Sequence, residues 1–366
     1  MKNVGVYRLP MQGPDDVSEL KKLLDDQTIQ AEDIVAIVAQ TEGDGYARGY
    51  ANLNFELLLS EKLGISRDAV TDKIPMLMIG LTGGLMSPHY TVFTRQEVEG
   101  EESDEKRLAI GIAKTRVLKP EEYGTKAHVL LVAEAVKEAM KDAEIDDIED
   151  VHLVEVKCPN LTAARVADAE SRGQKVVSKN FAEAGAKSKG ASALGVAVAL
   201  GEVLADDITD AAICSDWSLY STKASTSAGN EQVASKVVLL GNSKKASSPY
   251  TIASGVMSDT IDVQSAVKTF ESLGLTFEDG ALTPIAQDRV AAVFINAGAD
   301  ASGSIRQRRT TLKSDFLAGY QGIIAKAVIN AIVGAMIQDT MILASAGFEH
   351  QGPLGSNLLA VIAEVE

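Results

Sequence analysis

The sequence contains few of the residues that build disulfide frameworks and metal centres. Among its 366 residues are only two cysteines, Cys158 and Cys214, and four histidines. Two cysteines are too few for a disulfide scaffold, and no Cys/His spacing is that of a zinc site. We therefore expect no metal ligands, no cofactor and a reducing compartment, for which the cytoplasm fits best.

The sequence also lacks an excess of positive charge and any long apolar run. Its formal net charge is −16, which repels nucleic acid and anionic membrane surfaces. No apolar stretch has the length of a membrane span, and the first ten residues lack the basic flank and apolar core of a secretory signal. We expect no nucleic-acid partner and no membrane partner.

What the sequence does contain is a short phrase written twice. Residues 227–231 and 345–349 share the pattern S-A-G-x-E, and each copy follows an apolar, strand-like run. A third copy lies at residues 79–83. It has Ile79 in place of the serine and Gly83 in place of the glutamate. This repetition predicts three related units, of which the first has lost part of its chemistry.

Strand-like and helical patterns alternate in the same order in each third of the chain. This alternation predicts an α/β fold of three similar domains around a pseudo-threefold axis with a central site. Polar stretches place the units at residues 1–105, 106–248 and 249–366. Three sequential domains with no common site remain the alternative.

The residue that ends the second strand differs between the units. It is Gln40 in the first, Lys157 in the second and Asn296 in the third. Only the second unit therefore combines a lysine here with a serine, Ser227, in its repeated phrase. A buried lysine loses part of its affinity for protons and can activate a serine, and the small residues Ala228 and Gly229 suit backbone oxyanion donors. The alternatives are a salt-bridged strand end for Lys157 and an ordinary turn residue for Ser227.

At these residues the chain resembles the ring-opening amidohydrolases, the cyanuric acid hydrolase and barbiturase family. Matching phrases occur in the same order along nearly the whole chain, at residues 41–45, 87–89, 156–159, 190–195, 304–309 and 349–353. The resemblance implies one lysine and one serine per domain facing a flat ring, catalysis by Lys157 and Ser227, and a homo-oligomer, a tetramer in the family.

The chain departs from this pattern. The lysines expected at Gln40 and Asn296 and the serine expected at Ile79 are absent, and Lys189 and Asn52 stand where ring-binding arginines are usual. The third arginine position falls near Ile323. The repeat comparison and the resemblance together predict the following substrate-binding residues: Gln40, Asn52, Gly80, Leu81, Lys189, Ala228, Gly229, Asn296, Ser345, Ala346 and Gly347.

These observations predict an amidohydrolase that opens a cyclic amide, imide or ureide through a Ser-Lys dyad. Cyanuric acid is itself threefold symmetric, so the loss of polar groups from two units argues against it as the substrate. Ring closure on the same scaffold and a non-catalytic binding protein remain alternatives.

Overall fold

The computed structural model describes residues 1–43, 45–298, 301, 303–312 and 321–366. In this part of the chain three four-stranded sheets follow one another. The first contains β1 (Lys2–Pro10), β2 (Ile34–Gln40), β3 (Met76–Ile79) and β4 (His89–Glu97). The second contains β5 (Arg107–Lys114), β6 (Val151–Pro159), β7 (Ala224–Gly229) and β8 (Lys236–Ser243). In the third unit the strands are β9 (Tyr250–Met257), β10 (Phe277–Glu278), β11 (Ala281–Leu282), β12 (Val290–Ala297), β13 (Ser304–Ile305), β14 (Arg308–Arg309), β15 (Leu343–Ala346) and β16 (Asn357–Glu364).

The three sheets have the same topology. Their strand orders are β1-β4-β2-β3, β5-β8-β6-β7 and β9-β16-β12-β15, while β10-β11 and β13-β14 form small separate hairpins. Each sheet has one parallel pair of strands, namely β2-β3, β6-β7 and β12-β15. The other pairings are antiparallel. Each sheet lies within one predicted unit, while the divisions at residues 105 and 248 stay a prediction.

Helices cover the outer faces of the sheets. They are α1 (Ser18–Asp25), α2 (Gly45–Leu63), α3 (Arg67–Lys73), α4 (Lys126–Asp142), α5 (Ala163–Ser171), α6 (Phe181–Ala199), α7 (Val263–Glu271), α8 (Pro284–Arg289) and α9 (Gln321–Ile337). The pairing of α4 with α6 depends on glycine, since a Cβ at Gly195 would lie 2.7 Å from the Val132 Cβ. Within the described residues, no helix is long and apolar enough to cross a membrane.

One apolar cluster joins the inner faces of all three sheets. It contains Val38 from β2, Leu153 from β6 and Phe294 from β12, all buried, together with residues of the neighbouring strands. Side chains at the strand ends also cross between units: Lys157 Nζ donates to Met78 O at 2.8 Å, and Ala344 N donates to Gln40 Oε1 at 2.9 Å. The predicted α/β architecture with a shared centre is confirmed.

Candidate active site

A cavity of about 240 Å³ opens where the parallel strand pairs β2-β3, β6-β7 and β12-β15 end. All three units contribute to its wall. The lining residues are Arg48, Ile79, Gly80 and Leu81 from unit 1; Asn160, Phe181, Ala182, Gly185, Ala186, Lys189, Thr226, Ser227 and Ala228 from unit 2; and Lys326, Ser345, Ala346 and Glu349 from unit 3.

Strand register brings Lys157 and Ser227 together. They are direct partners across the parallel β6-β7 pair, so their side chains leave the same face of the sheet. Lys157 Nζ donates a hydrogen bond to Ser227 Oγ at 2.9 Å. Ser227 lines the cavity, and the lysine behind it is fully buried. This is the geometry of a hydroxyl nucleophile in contact with a potential base.

Burial of Lys157 lowers the pKa of its ammonium to about 8. The Glu231 carboxylate, 3.6 Å away, acts in the opposite direction and raises this pKa, while Arg48 lowers it further. Burial outweighs the carboxylate. A lysine with this pKa is neutral in roughly a tenth of molecules at pH 7. The contact with Glu231 therefore leaves Lys157 able to accept a proton.

In unit 3 the corresponding serine has no lysine. Ser345 lines the cavity and is the register partner of Asn296, as Ser227 is of Lys157. The Asn296 amide instead donates to Gly347 O at 2.8 Å, and among the described residues its Oδ1 has no partner. Asn296 does not line the cavity. The Ser345 hydroxyl donates to Thr226 O at 3.4 Å, and its register partner is an amide rather than an amine.

In unit 1 the pair has neither an amine nor a hydroxyl, since Gln40 and Ile79 occupy the two positions. Gln40 is fully buried, donates to Thr82 Oγ1 at 3.1 Å and accepts from Ala344 N, so its amide joins unit 1 to unit 3. It does not line the cavity, and its predicted role in substrate binding stays a prediction. Its register partner Ile79 does line it and presents an apolar surface.

The cavity-lining cation of unit 1 is Arg48, whereas Asn52, which the sequence predicts at this place, does not line the cavity. Helix α2 begins at Gly45, and its first turn places Arg48 at the cavity. Asn52, one turn later, lies away from the cavity and donates to Glu56 Oε1. A Cβ on Gly80 would lie 3.1 Å from the Arg48 side chain, so this glycine gives the arginine its space.

Each unit contributes one helix cation to the wall. These three residues, called here the helix cations, are Arg48 on α2, Lys189 on α6 and Lys326 on α9. Lys189 is predicted from the sequence, whereas Arg48 and Lys326 are not. In all three the cation is followed by a small residue, namely Gly49, Gly190 and Ala327, but Lys126 and Lys223 are also followed by alanine, so this pattern does not single the three out.

The remaining predicted binding residues divide into two groups. Gly80, Leu81, Ala228 and Ala346 line the cavity, whereas Gly229 and Gly347 lie behind the lining. Glu349, which the sequence reasoning does not single out, also lines it. Its Oε1 pairs with Lys189 Nζ at 2.8 Å, and its buried Oε2 has no partner in the described part of the chain.

The buried His350 has a structural role. His350 Nδ1 donates to Leu219 O at 2.6 Å, while its Nε2 accepts from Cys214 N at 2.7 Å, so both ring nitrogens are used. Burial lowers the pKa of His350.

Both cysteines are free thiols. Within the residues that the structure describes, no group of three or more His, Cys, Asp or Glu side chains could hold a metal ion.

Comparison with known proteins gives this geometry a family. The family model described as amidohydrolase ring-opening protein matches residues 5–364. The chain belongs to the ring-opening amidohydrolase family. Its sequence is 41% identical over 365 residues to a cyanuric acid amidohydrolase of Enterobacter cloacae, covering 98% of each chain. It is equally identical over 363 residues to a cyclic amide hydrolase of Azorhizobium caulinodans, covering 98% of this chain and 99% of the relative.

Solved structures of ring-opening amidohydrolases have the same fold. A cyanuric acid hydrolase superposes with a TM-score of 0.94 at 40% identity, covering all of both chains. The enzyme from A. caulinodans superposes with a TM-score of 0.90 at 38% identity, covering all of this chain and 99% of the other. The family and the hydrolase class predicted from the sequence are thus confirmed.

Proposed function

We propose that this protein hydrolyses a C–N bond within a cyclic amide, imide or ureide by means of Lys157 and Ser227. The observation that carries the proposal is the 2.9 Å contact between the buried Lys157 Nζ and the cavity-lining Ser227 Oγ. Relatives that span the whole chain are named for cyanuric acid or cyclic amide hydrolysis, which supports the reaction class.

The first half of the reaction forms an acyl-enzyme. Neutral Lys157 takes the proton of Ser227 as Oγ attacks a ring carbonyl, which forms a C–O bond and a tetrahedral oxyanion. Collapse of this intermediate breaks the ring C–N bond, and Lys157 returns the proton to the leaving nitrogen. The ring is then open, and its carbonyl is held as an ester of Ser227.

The second half uses water. Lys157 takes a proton from a water molecule that attacks the ester carbonyl, and then returns a proton to Ser227 Oγ as the C–O bond breaks. The product carries a new carboxyl group, and the serine and the lysine are restored. Backbone N–H groups around Ala228, together with the helix cations, are the groups available to stabilise the oxyanion in both halves.

The wall around the dyad can orient a ring. Glu349 lines the cavity and its buried Oε2 has no partner among the described residues, so a small rotation of this carboxylate would offer an acceptor to a ring N–H. Ser345 offers a hydroxyl on the unit 3 side, while Ile79 and Leu81 present hydrocarbon on the unit 1 side. Because Arg48 also lines the unit 1 side, these groups favour a ring with polar edges toward units 2 and 3 and an edge toward unit 1 that combines carbon with one acceptor for Arg48.

The test compares Ser227→Ala with Ser345→Ala, because the two serines occupy equivalent positions and only one has a lysine. Each variant is incubated with hydantoin, dihydrouracil, glutarimide and barbituric acid, and ring-opened product is measured by mass spectrometry. We expect Ser227→Ala to lower kcat by about a thousandfold or more. We expect Ser345→Ala mainly to raise KM, by about tenfold for one lost hydrogen bond.

The intact mass of the wild-type protein provides the second readout. A substrate-sized increase that maps to Ser227 supports the acyl-enzyme. Equal collapse of kcat in both variants, or full turnover by Ser227→Ala, would contradict the assignment of the dyad.

A further inference from the structure

The glutamates of the two intact S-A-G-x-E phrases lie beside buried cations around the cavity, and one of the two contacts crosses a boundary between units. Glu349 of unit 3 pairs with the unit 2 helix cation Lys189 at 2.8 Å. Glu231 of unit 2 lies 3.6 Å from Lys157 and also acts on Arg48, the helix cation of unit 1. Burial raises the pKa of Glu231, but Lys157 and Arg48 outweigh it and lower the pKa overall, so this carboxylate stays ionised.

At the third boundary, between unit 1 and unit 3, the glutamate is absent. Gly83 occupies its position in the repeat and packs on α9, the helix that carries Lys326. A Cβ on Gly83 would lie 2.8 Å from Ile323 Cγ2, one helical turn before Lys326. The unit 1 phrase therefore faces the third helix cation, as the other two phrases face theirs, but without a carboxylate.

Lys326 is left with little compensation for its charge. It is 2% exposed, and its ammonium donates to Gly80 O at 2.7 Å. Among the described residues no carboxylate lies within 4.0 Å of it. Burial lowers the pKa of Lys326 to about 7, and the charges of Arg48 on α2 and Lys157 on β6 lower it further.

The charge around the cavity is therefore unbalanced on one side. Two carboxylates, Glu231 and Glu349, lie among four side chains that can carry positive charge, namely Lys157 and the three helix cations. Both carboxylates lie beside lysines of unit 2, Glu231 beside Lys157 and Glu349 beside Lys189. A ligand that brings its own negative charge to the boundary of units 1 and 3 would supply the missing partner at short range, where the surrounding protein screens it weakly.

We propose that the cavity selects rings that carry a negative charge, with the charged edge directed at Lys326. This inference rests on the proposed function for the identity of the cavity as the ring site, and it names the substrate class of that site. The charge can belong to an ionised imide of the ring or to a carboxylate attached to it, and both would interact with the lysine in the same way.

Binding to the full-length Ser227→Ala protein tests the proposal without turnover. The probes are dihydrouracil, dihydroorotate, which is the same ring with a carboxylate, and barbiturate, whose ring is ionised. Calorimetry at pH 8 should give at least roughly tenfold tighter binding for an anionic ring than for dihydrouracil. Binding of the anion should also take up protons, detected by comparing buffers of different ionisation enthalpy, because Lys326 becomes charged beside it.

Two added substitutions should each abolish the preference and the proton uptake. Lys326→Met removes the cation, and the thermal stability of this variant should not fall, since a poorly compensated buried charge is lost. Gly83→Glu combined with Ile323→Ala supplies the missing carboxylate from the protein and makes room for it. If Lys326→Met does not fold, this second variant decides the question alone.

The outcomes separate this inference from the proposed function. A preference for dihydroorotate alone would assign the charge to an attached carboxylate, and one for barbiturate alone would assign it to the ring. Equal binding of neutral and anionic rings, or a preference that survives both substitutions, would overturn the inference. Binding of anionic rings by a protein that opens none would overturn the proposed function but leave the charge selection intact.

Discussion

Burial lowers the pKa of three lysines around one cavity, and the nearest carboxylate opposes this to different degrees. Lys189 has one at 2.8 Å, and although burial lowers its pKa, Glu349 outweighs this and raises it overall. Lys157 has one at 3.6 Å and a pKa of about 8. Lys326 has none within 4.0 Å among the described residues, and its pKa is about 7. The same residue type thus provides a fixed charge, the proposed base and a second titrating group.

The pH dependence of kcat/KM should report the Lys157 amine. The reaction needs this amine neutral, so with a neutral substrate such as dihydrouracil we expect kcat/KM to fall about tenfold per pH unit below its pKa. Above about pH 8 the rate should level off. Glu231→Gln removes the group that raises this pKa, so its profile should shift toward lower pH.

Two comparisons make this pH measurement specific. Lys326→Met, which removes the other titrating lysine, should keep an inflection near pH 8 with the same neutral substrate. A profile that is flat between pH 6 and 9, or a shift toward higher pH in Glu231→Gln, would exclude Lys157 as the base.

At the scale of the element, the cavity-facing residue of helix α2 cannot be located from the sequence pattern alone. Helix α2 buries Ala51, Phe55, Leu58 and Leu59, but Tyr46 and other large apolar residues on it are exposed, so its apolar pattern does not mark one face. The sequence does not show where this helix begins. It therefore predicts Asn52 at the cavity, one turn after Arg48, which lines it. In helix α4 (Lys126–Asp142), by contrast, the buried residues repeat at helical spacing, which is the pattern that a sequence reveals.

The pairing of Lys157 with Ser227 could be predicted because it depends on strand register, which the repeats preserve. The role of Gln40 could not, because its acceptor atom meets Ala344, which is 304 residues away in the chain. Lys326 was missed for a similar reason: its importance follows from a glutamate that is absent from another unit. Contacts within one repeat are visible in the sequence, whereas compensation between units requires the fold.

Substitutions on α2 should distinguish the observed cation from the predicted one. Arg48→Ala removes a cavity-lining charge, and we expect kcat/KM to fall at least roughly tenfold for a charge-assisted hydrogen bond. Asn52→Ala should change it less than about twofold, because Asn52 binds Glu56 away from the cavity. Steady-state kinetics with the best ring of the panel measures both.

Arg48→Lys provides the matched control for α2. It keeps the charge but loses the planar guanidinium, so an intermediate effect is expected. If Asn52→Ala and Arg48→Ala were equally impaired, the start of α2 in the active protein would differ from that observed.

At the scale of the whole molecule, a symmetric frame holds an asymmetric site. The three sheets share one topology and one register of the strand-end residue against the repeated phrase. Their side chains have nevertheless diverged: unit 1 offers hydrocarbon and Arg48, unit 2 the Lys157–Ser227 pair, and unit 3 Ser345 and Glu349. A ring bound at the centre therefore meets three different walls.

Cyanuric acid should consequently be a poor substrate, because its three identical edges cannot all find partners. At Gln40 and Asn296, where relatives are expected to have lysines, the amides bind protein groups behind the cavity. Each missing charge-assisted hydrogen bond costs about 1.5–3 kcal/mol, so two should weaken transition-state binding on the order of a hundredfold. Assays of cyanuric acid beside barbituric acid and alkyl-substituted imides test this, and Ile79→Ser should narrow the gap by returning a hydroxyl to unit 1. Cyanuric acid turnover as efficient as that of the best other ring would mean that the groups lost from units 1 and 3 do not determine specificity.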